Sequence, residues 1–209
     1  MLVVVLTNDE LKEELLVQGL KEPSGVQWIS RPDEFSQFHK ADAYIDLLFD
    51  YNAERIELLK KLLSKPVFIN AVTGTLEDLP ENFIRINGWT TFLKRPIVEA
   101  AASETIREEA GKIMTAFSKK VEWTEDVPGF ISARVVSMII NEAYFTLAEE
   151  VSSKQETDTA MKLGTNYPYG PFEWAEKIGL KNILALLQEL NKGQQRYKPA
   201  ALLEKEANN

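Results

Sequence analysis

Short apolar runs and longer amphipathic segments alternate along the first 125 residues. The apolar runs predict strands over residues 2–6, 26–29, 43–49, 67–70, 83–86, 97–100 and 120–123. Amphipathic helices are predicted over residues 9–19, 53–63 and 103–117. Because strand-like runs separated by helices are typical of parallel sheets covered on both faces, this part of the chain predicts an α/β domain with a parallel sheet.

Beyond about Glu125 the pattern contains helices only. Ile131–Val151 carries apolar residues round most of its circumference. Shorter helices are predicted over residues 154–163, 171–178, 180–191 and 200–206. A helix that is apolar all round must be covered by other helices or by a second subunit. The pattern therefore predicts a boundary near Glu125–Pro128, between a sheet domain over residues 1–125 and an all-α domain over residues 126–209.

The composition narrows the chemistry that this chain can perform. Among its 209 residues there is no cysteine and one histidine, His39, and the formal net charge is −8. Thiol nucleophiles and thiolate or His-rich metal sites are excluded, so we expect no metal. An acidic chain without a Lys/Arg cluster is a poor candidate for nucleic-acid binding. Leu2–Leu6 is too short for a signal peptide, and no run approaches the roughly 18–20 residues of a membrane span, so we expect a cytoplasmic protein without a membrane partner.

Several motifs follow the predicted boundary in order. They are Asp126-Val-Pro-Gly-Phe-Ile131, Asn141-Glu-Ala143, Asp158-Thr-Ala-Met-Lys-Leu-Gly164, Tyr167-Pro-Tyr-Gly-Pro-Phe-Glu173 and Arg196-Tyr-Lys-Pro199. In order and spacing they resemble the C-terminal domain of 3-hydroxyacyl-CoA dehydrogenases. Upstream, Ala41–Asp50 and Val67–Leu76 are similar to two strand regions of the same family, although less closely. The resemblance implies that residues 1–125 form a degenerate Rossmann-like NAD-binding domain.

The resemblance also implies a reaction and the residues that would carry it. The family oxidises a 3-hydroxyacyl-CoA in fatty-acid metabolism, with a histidine as base and a glutamate that orients its imidazole. It places Glu99 at the glutamate position and Asn87 at the histidine position. Since an amide cannot take up a proton at neutral pH, Asn87 is not a competent base. Ala71 and Ala133 stand where the family has a serine and an asparagine.

The turn after the first strand is unusual for an NAD site. A dinucleotide fingerprint needs glycines there so that backbone N–H groups approach the diphosphate. Here Leu6 runs into Thr7–Glu14, which has four acids and no glycine, although acids in a first helical turn also favour the helix dipole. Candidate cofactor contacts are Thr7, Asp33 and Asp46, of which Asp33 also suits a helix cap. The sequence does not decide whether NAD binds, because these candidate contacts favour binding and the acidic, glycine-free turn opposes it.

Two classes of function are compatible with these observations, besides an unrelated structural role. The first is a pseudoenzyme, a catalytically disabled homologue that binds an acyl-CoA or nucleotide, or acts as the partner subunit of an enzyme. The second is an active NAD-dependent oxidoreductase with a non-standard site, supported by Glu99, with Lys94 as a candidate base. His39 lies in a polar stretch and reads as a surface residue. Family members commonly dimerise through the C-terminal domain, so we predict a homodimer through the apolar helix Ile131–Val151.

Overall fold

The computed structural model describes residues 1–21, 25–62 and 65–209. The chain divides into two compact units, Met1–Phe130 and Ile131–Asn209. Residues 126–130 thus belong with the first unit, a few residues beyond the boundary that the pattern predicted. Their contacts give the reason: Asp126 forms an ion pair with Arg85, and Gly129 N donates to Val72 O at 2.7 Å.

The first unit is an α/β domain of Rossmann-like form. Within the described residues its sheet has seven strands in the order β2-β1-β3-β4-β5-β6-β7. The strands are β1 Leu2–Leu6, β2 Gly25–Ile29, β3 Ala43–Asp46, β4 Val67–Asn70, β5 Phe83–Ile86, β6 Ile97–Ala101 and β7 Lys120–Trp123. The helices are α1 Asp9–Leu16, α2 Ala53–Lys60 and α3 Glu104–Ala116, with a 3-10 helix at Pro32–Gln37. Helix α2 ends before Leu63, which lies outside the described residues.

Both faces of the sheet are buried, as the apolar strands predict. Val3, Val5 and Ile45 belong to a core that α1 and α3 cover, whereas Val4 and Leu6 belong to a second core under α2 and the 3-10 helix. Alternate residues of β1 therefore face opposite cores, because successive side chains of a strand point to opposite faces. This double burial explains why the strand reads as a continuous apolar run.

One strand pair departs from the predicted parallel sheet. β5 and β6 are antiparallel, with Arg85 opposite Ala101 and Ile86 opposite Ala100, while the other neighbouring pairs are parallel. Residues 87–96 join the two strands without a helix. Parallel neighbours need a crossover of a dozen or more residues, so this shorter link returns the chain antiparallel. The pattern of apolar residues predicted the strands but not their direction.

The second unit is helical. Its helices are α4 Ser132–Ala148, α5 Lys154–Thr165, α6 Pro171–Ile178, α7 Leu180–Asn191 and α8 Ala201–Ala207, with a 3-10 helix at Gln195–Tyr197. Helix α4 contacts α6, α7 and α8. Within the described part of the chain, no helix is both long and apolar enough to cross a membrane.

Candidate functional site

Asn87 and Glu99 meet at the paired region of β5 and β6. Asn87 Nδ2 donates to Glu99 Oε2 at 2.9 Å, and the backbone N–H of Asn87 donates to Glu99 O at 3.0 Å. Asn87 is 2% exposed and Glu99 is half-buried. The pair that the sequence singled out is therefore assembled. The contact requires Glu99 to accept and the Asn87 amide to donate, so it carries no transferable proton.

A positive charge lies beside this pair. Burial lowers the pKa of Arg95 from its usual value, and the negative charge of Glu99 opposes that shift. The Arg95 guanidinium also stacks over the Phe92 ring, 4.4 Å from its centroid. Because an arginine stays protonated at any physiological pH, it can balance the Glu99 carboxylate but cannot act as a general base.

The strand ends next to Asn87 are joined by Asn70. Its Nδ2 donates to Leu47 O at 3.1 Å and to Gly88 O at 3.2 Å, while its Oδ1 accepts from Gly88 N at 3.0 Å. A Cβ on Gly88 would lie 2.7 Å from Asn70 Cγ, so glycine permits this approach. One amide side chain at the end of β4 thus satisfies backbone groups that follow the two neighbouring strands, β3 and β5, and it holds the chain just after Asn87 in place.

Arg85 is a buried charge that the sequence reading missed. It lies two residues before Asn87 and is 0% exposed. Its Nε donates to Ala71 O at 2.8 Å, and its Nη1 pairs with the Asp126 carboxylate. The guanidinium also lies 4.6 Å from the centroid of the Phe130 ring. These contacts engage the guanidinium, which links the end of β4 to residues 126–130. The signal was a lone arginine between apolar residues of a buried strand.

Glu14 corrects one interpretation of the acidic first turn. Asp9 and Glu10 do occupy the first turn of α1, but Glu14 lies in its last turn. Its carboxylate accepts from Thr91 N at 2.7 and 2.9 Å and from Lys94 N at 3.3 Å. Burial raises the pKa of Glu14. Its role is therefore to bind the backbone of the loop between β5 and β6, not to interact with the helix dipole.

Lys119 supports the same loop from the other side. Its Nζ donates to Gln18 Oε1 at 2.9 Å, to Leu93 O at 2.6 Å and to Arg95 O at 2.9 Å. The residue is 2% exposed, and burial lowers its pKa to about 8. The loop that follows Asn87 is thus held by a buried lysine as well as by Glu14, and neither residue was predicted from the sequence.

The three candidate cofactor residues lie at one edge of the sheet. The chain runs from β1 outward to β2 and then returns to β3 on the other side of β1, which is where open α/β sheets bind ligands. Thr7 follows β1, Asp46 ends β3 opposite Leu6, and Asp33 lies in the 3-10 helix after β2. The topology therefore brings Thr7, Asp33 and Asp46 to the edge that the resemblance implies.

Asp46 and Asp33 interact with arginines of this chain. Asp46 is fully buried and forms an ion pair with Arg55 at 3.1 Å, while its Oδ1 accepts from Leu48 N. Burial raises the pKa of Asp46 to about 7, although the Arg55 charge opposes the shift. Asp33 is exposed and pairs with Arg31 at 3.1 Å. It does not cap the 3-10 helix, where Glu34 Oε1 instead accepts from Arg31 N at 2.9 Å.

The turn between β1 and α1 is poorly suited to a diphosphate. The Thr7 N–H donates to Ile29 O at 3.2 Å, and the Leu11 N–H is capped by Asn8 Oδ1 at 2.9 Å. Thr7 Oγ1 donates to Asn8 O at 2.9 Å. Amides that an anion would need are therefore engaged within the turn, and Asp9 and Glu10 add negative charge. The residues present do not fit the pyrophosphate of a dinucleotide.

The motifs of the second unit hold its helices together. Asp158 of α5 accepts from Phe172 N at 2.8 Å and Glu173 N at 3.2 Å, which caps the N-terminus of α6. A Cβ on Gly170 would lie 2.4 Å from Asp158 Cα, so only glycine allows the two segments to approach. Asn141 acts similarly and accepts from Ala200 N at 2.8 Å. These motif residues therefore cap helices and stabilise their packing.

Ala71, Ala133 and His39 contribute no side chain to these contacts, although the backbone oxygen of Ala71 accepts from Arg85 Nε. Ala133 is buried in α4, whereas Ala71 is buried just after β4. His39 is exposed, in keeping with a surface histidine. Across the described ranges, no three His, Cys, Asp or Glu side chains are grouped as a metal site would require.

Comparison with known proteins identifies relatives of this chain. Residues 129–209 match the family model of the 3-hydroxyacyl-CoA dehydrogenase C-terminal domain. The chain is 47% identical over 91 residues to 3-hydroxyadipyl-CoA dehydrogenase of Escherichia coli, which covers 43% of this chain and 19% of that protein. It is 37% identical over 134 residues to 3-hydroxybutyryl-CoA dehydrogenase of Bradyrhizobium diazoefficiens, covering 61% of this chain and 46% of that protein. The matched parts span less than half of either relative.

A solved structure shares the fold over nearly the whole chain. The crystal structure of (S)-3-hydroxybutyryl-CoA dehydrogenase from Ralstonia eutropha superposes with a TM-score of 0.76 at 19% identity, covering 98% of this chain and 92% of that one. At this identity the likeness concerns the fold alone, and it agrees with the Rossmann-like sheet and the helical unit. The sequence matches and the C-terminal family model show the common ancestry with these dehydrogenases. The chain therefore belongs to the 3-hydroxyacyl-CoA dehydrogenase family.

Proposed function

We propose that this protein is a catalytically impaired 3-hydroxyacyl-CoA dehydrogenase homologue that acts by binding an acyl-CoA thioester, alone or as the partner subunit of an enzyme. The observation that carries the proposal is the hydrogen bond from Asn87 Nδ2 to Glu99 Oε2 at 2.9 Å. The carboxylate orients an amide where the family reaction needs a base. Loss of a positioned base costs roughly 10²–10⁴-fold in rate.

The turn after β1 supports the same proposal for the cofactor. Asn8 caps Leu11 N, Thr7 N bonds to Ile29 O, and Asp9 and Glu10 would repel a diphosphate. Family membership makes NAD a natural ligand to test, but the local chemistry opposes it. We therefore propose that NAD(H) binds far more weakly here than in an active dehydrogenase. In this proposal the protein retains the binding of an acyl-CoA thioester.

Turnover and binding measurements test this proposal directly. NADH oxidation with acetoacetyl-CoA should run at least about 10²-fold slower than with an active family member assayed in parallel. Thermal unfolding should respond to an acyl-CoA and not to NADH, and saturation at 100 times the dissociation constant stabilises a binder by about 2.7 kcal/mol. A rate within tenfold of the active enzyme would establish the alternative, an active oxidoreductase with a non-standard site.

We also propose that the protein forms a homodimer through α4. One face of this helix and its N-cap carries the apolar residues Ile131, Val135, Met138 and Phe145, with the charged Glu142 between the last two. Ile131 is 58% exposed, Val135 51% and Phe145 38%. So many exposed apolar side chains along one helix are typical of an interface. Residues Met138, Ile139 and Tyr197 line an apolar groove beside this face.

Charge along α4 favours a second copy as the occupant. Arg134 and Glu142 lie four residues before and four residues after Met138. In an antiparallel pair of α4 helices with a two-fold axis at Met138, Arg134 of each copy lies opposite Glu142 of the other. Such a surface is complementary to itself, as a two-fold interface requires. A different protein partner would not be expected to match this internal symmetry.

Cysteine cross-linking tests the dimer cleanly because the chain has no cysteine. Met138→Cys should form a disulfide-linked dimer under mild oxidation, since the two-fold axis brings both copies of residue 138 together. Leu163→Cys is the matched control, because Leu163 is 83% exposed but lies on α5. A monomer by light scattering at micromolar concentration, or equal cross-linking of the two variants, would exclude this interface.

A further inference from the structure

The Asn87 amide has a single allowed orientation. Its Nδ2 donates to Glu99 Oε2 at 2.9 Å, and a flipped amide would set Oδ1 against that carboxylate oxygen. Two acceptors in contact repel each other, so the amide nitrogen must face Glu99. The main chain is fixed as well, because Asn87 N donates to Glu99 O at 3.0 Å. The direction of Asn87 Oδ1 is therefore set by the protein before any ligand arrives.

The side-chain oxygen of Asn87 is the amide atom without a hydrogen bond. Asn87 Oδ1 is buried, and no donor in the described part of the chain hydrogen-bonds to it. Buried carbonyl oxygens without a donor are uncommon in folded proteins and are costly to keep. A ligand group that donates a hydrogen bond relieves that cost. A ligand group that only accepts would bring two oxygen lone pairs together.

We propose that Asn87 makes this site selective for a ligand oxygen that donates a hydrogen bond, namely the hydroxyl of a 3-hydroxyacyl thioester, over the carbonyl of its 3-keto counterpart. The inference rests on the proposed function, in which the site binds an acyl-CoA. A histidine accepts when neutral and donates when protonated, so it can bond to either oxidation state. The oriented amide oxygen only accepts, so the replacement by asparagine changes the site from one that interconverts two states to one that distinguishes them.

Calorimetric titration of the full chain with three thioesters of equal chain length tests the selectivity. The probes are 3-hydroxybutyryl-CoA, acetoacetyl-CoA and butyryl-CoA, which place a hydroxyl, a carbonyl or no oxygen at the third carbon. One hydrogen bond to a buried acceptor corresponds to roughly a tenfold to hundredfold change in dissociation constant. We expect the hydroxy thioester to bind at least about tenfold more tightly than both others.

Two variants assign the preference to the amide. Asn87→Leu has a similar volume and no acceptor, so the hydroxy and unsubstituted thioesters should bind alike. Glu99→Gln keeps Asn87 but offers both a donor and an acceptor, so the amide can rotate and the preference over acetoacetyl-CoA should fall severalfold. A preference that survives both variants, with the fold intact by circular dichroism, contradicts the proposal.

The outcomes separate this inference from the function on which it rests. Equal binding of all three thioesters, or tighter binding of acetoacetyl-CoA, overturns the selectivity and leaves the acyl-CoA binding function standing. If no thioester binds, the binding function fails and the inference fails with it. A hydroxyl preference that Asn87→Leu abolishes supports both.

Discussion

The sheet unit and the helical unit use buried polar side chains in different ways. In the sheet unit the described residues include three buried charges, Asp46, Arg85 and Lys119. Arg85 and Lys119 donate to backbone oxygens 14 and 26 residues away, and Asp46 accepts from Leu48 N and pairs with Arg55. In the helical unit the buried polar residues are few, and Asp158 caps a helix. Helix ends need only local capping, whereas the carboxyl ends of parallel strands leave groups that a ligand often satisfies. Here the chain's own side chains satisfy several of those groups.

This difference separates residues that hold the fold together from residues whose position would allow them to serve a ligand. The motif residues of the helical unit support the fold itself, so altering them would unfold it. The strand-end residues of the sheet unit can exchange ligand contacts for internal contacts without loss of the fold. Family membership is therefore best recognised from the helical unit, and ligand binding is best tested at the strand ends of the sheet unit. The following substitutions are ordered from the largest expected effect to the smallest.

Removal of the Arg85 charge should be the most damaging change. Arg85→Met leaves Ala71 O and the Asp126 carboxylate without their donor, and breaking a buried pair costs roughly 3–5 kcal/mol. We expect about 3 kcal/mol in urea unfolding, because Asp126 is one-third exposed and retains some hydration. Lys162→Met, which breaks the more exposed Lys162–Glu173 pair of the helical unit, is the control and should cost at most about 1 kcal/mol. Equal losses would remove the contrast between the two units.

Two glycines of the helical unit should respond in opposite directions to the same substitution. Gly170→Ala puts a methyl group within 2.4 Å of Asp158 Cα, and we expect a loss of about 2–3 kcal/mol from overpacking. Gly164→Ala adds a methyl group inside α5 with no atom within 4 Å, and it should gain about 0.5–1 kcal/mol of helix stability. Thermal unfolding measures both. A stable Gly170→Ala protein would show that this contact does not hold the helical unit.

Asp46 should make the stability of the sheet unit depend on pH. Burial raises its pKa to about 7, above the value of about 3.8 in the unfolded chain. The folded state thus binds more protons than the unfolded state between these values, so stability falls as pH rises through about 4 to 7. Relative to Asp46→Asn, the native protein should lose stability across this window at a rate that approaches about 1.4 kcal/mol per pH unit. A difference that grows with pH would mean that the Arg55 ion pair outweighs burial.

The smallest effect should come from Glu14, and it should be local. Glu14→Gln keeps the size of the side chain but weakens its bonds to Thr91 N and Lys94 N by about 1 kcal/mol, since bonds to a charged acceptor are the stronger ones. Hydrogen exchange of the Thr91 and Lys94 amides should quicken by roughly fivefold. Glu13→Gln on the exposed side of α1 is the control. Unchanged exchange would show that Lys119 alone holds the loop.

The sequence predicts most of the fold and only part of the site. Strands β4, β5 and β7 and helices α6 and α7 have the predicted bounds, because periodicity and flanking proline or glycine residues mark them locally. The meeting of Asn87 and Glu99 was expected from the resemblance. The antiparallel β6, however, depends on the short link before it, which the pattern of apolar residues does not describe.

Long-range polar contacts explain what the sequence could not predict. Arg85 and Asp126 are 41 residues apart, and Lys119 and Gln18 are 101 apart. No local pattern connects residues at such distances. A lone arginine in a strand is therefore seen only as an exception to the apolar pattern, with no partner indicated. Glu14 was misread for the same reason, since its partner Thr91 is 77 residues away. Local rules describe helix ends well and strand-end contacts poorly.

The antiparallel return from β5 to β6 has a consequence for the order in which the molecule assembles. Asn87 and Glu99 are separated by 12 residues of chain, whereas each paired residue of β5 meets a β4 residue 16 positions earlier and the other parallel pairs are further apart still. Contacts between nearby residues lose little chain entropy and form early during folding. We expect this hairpin to form on a microsecond scale, well before the parallel strands dock. The pair of Asn87 and Glu99 would thus arise locally, ahead of the sheet that surrounds it.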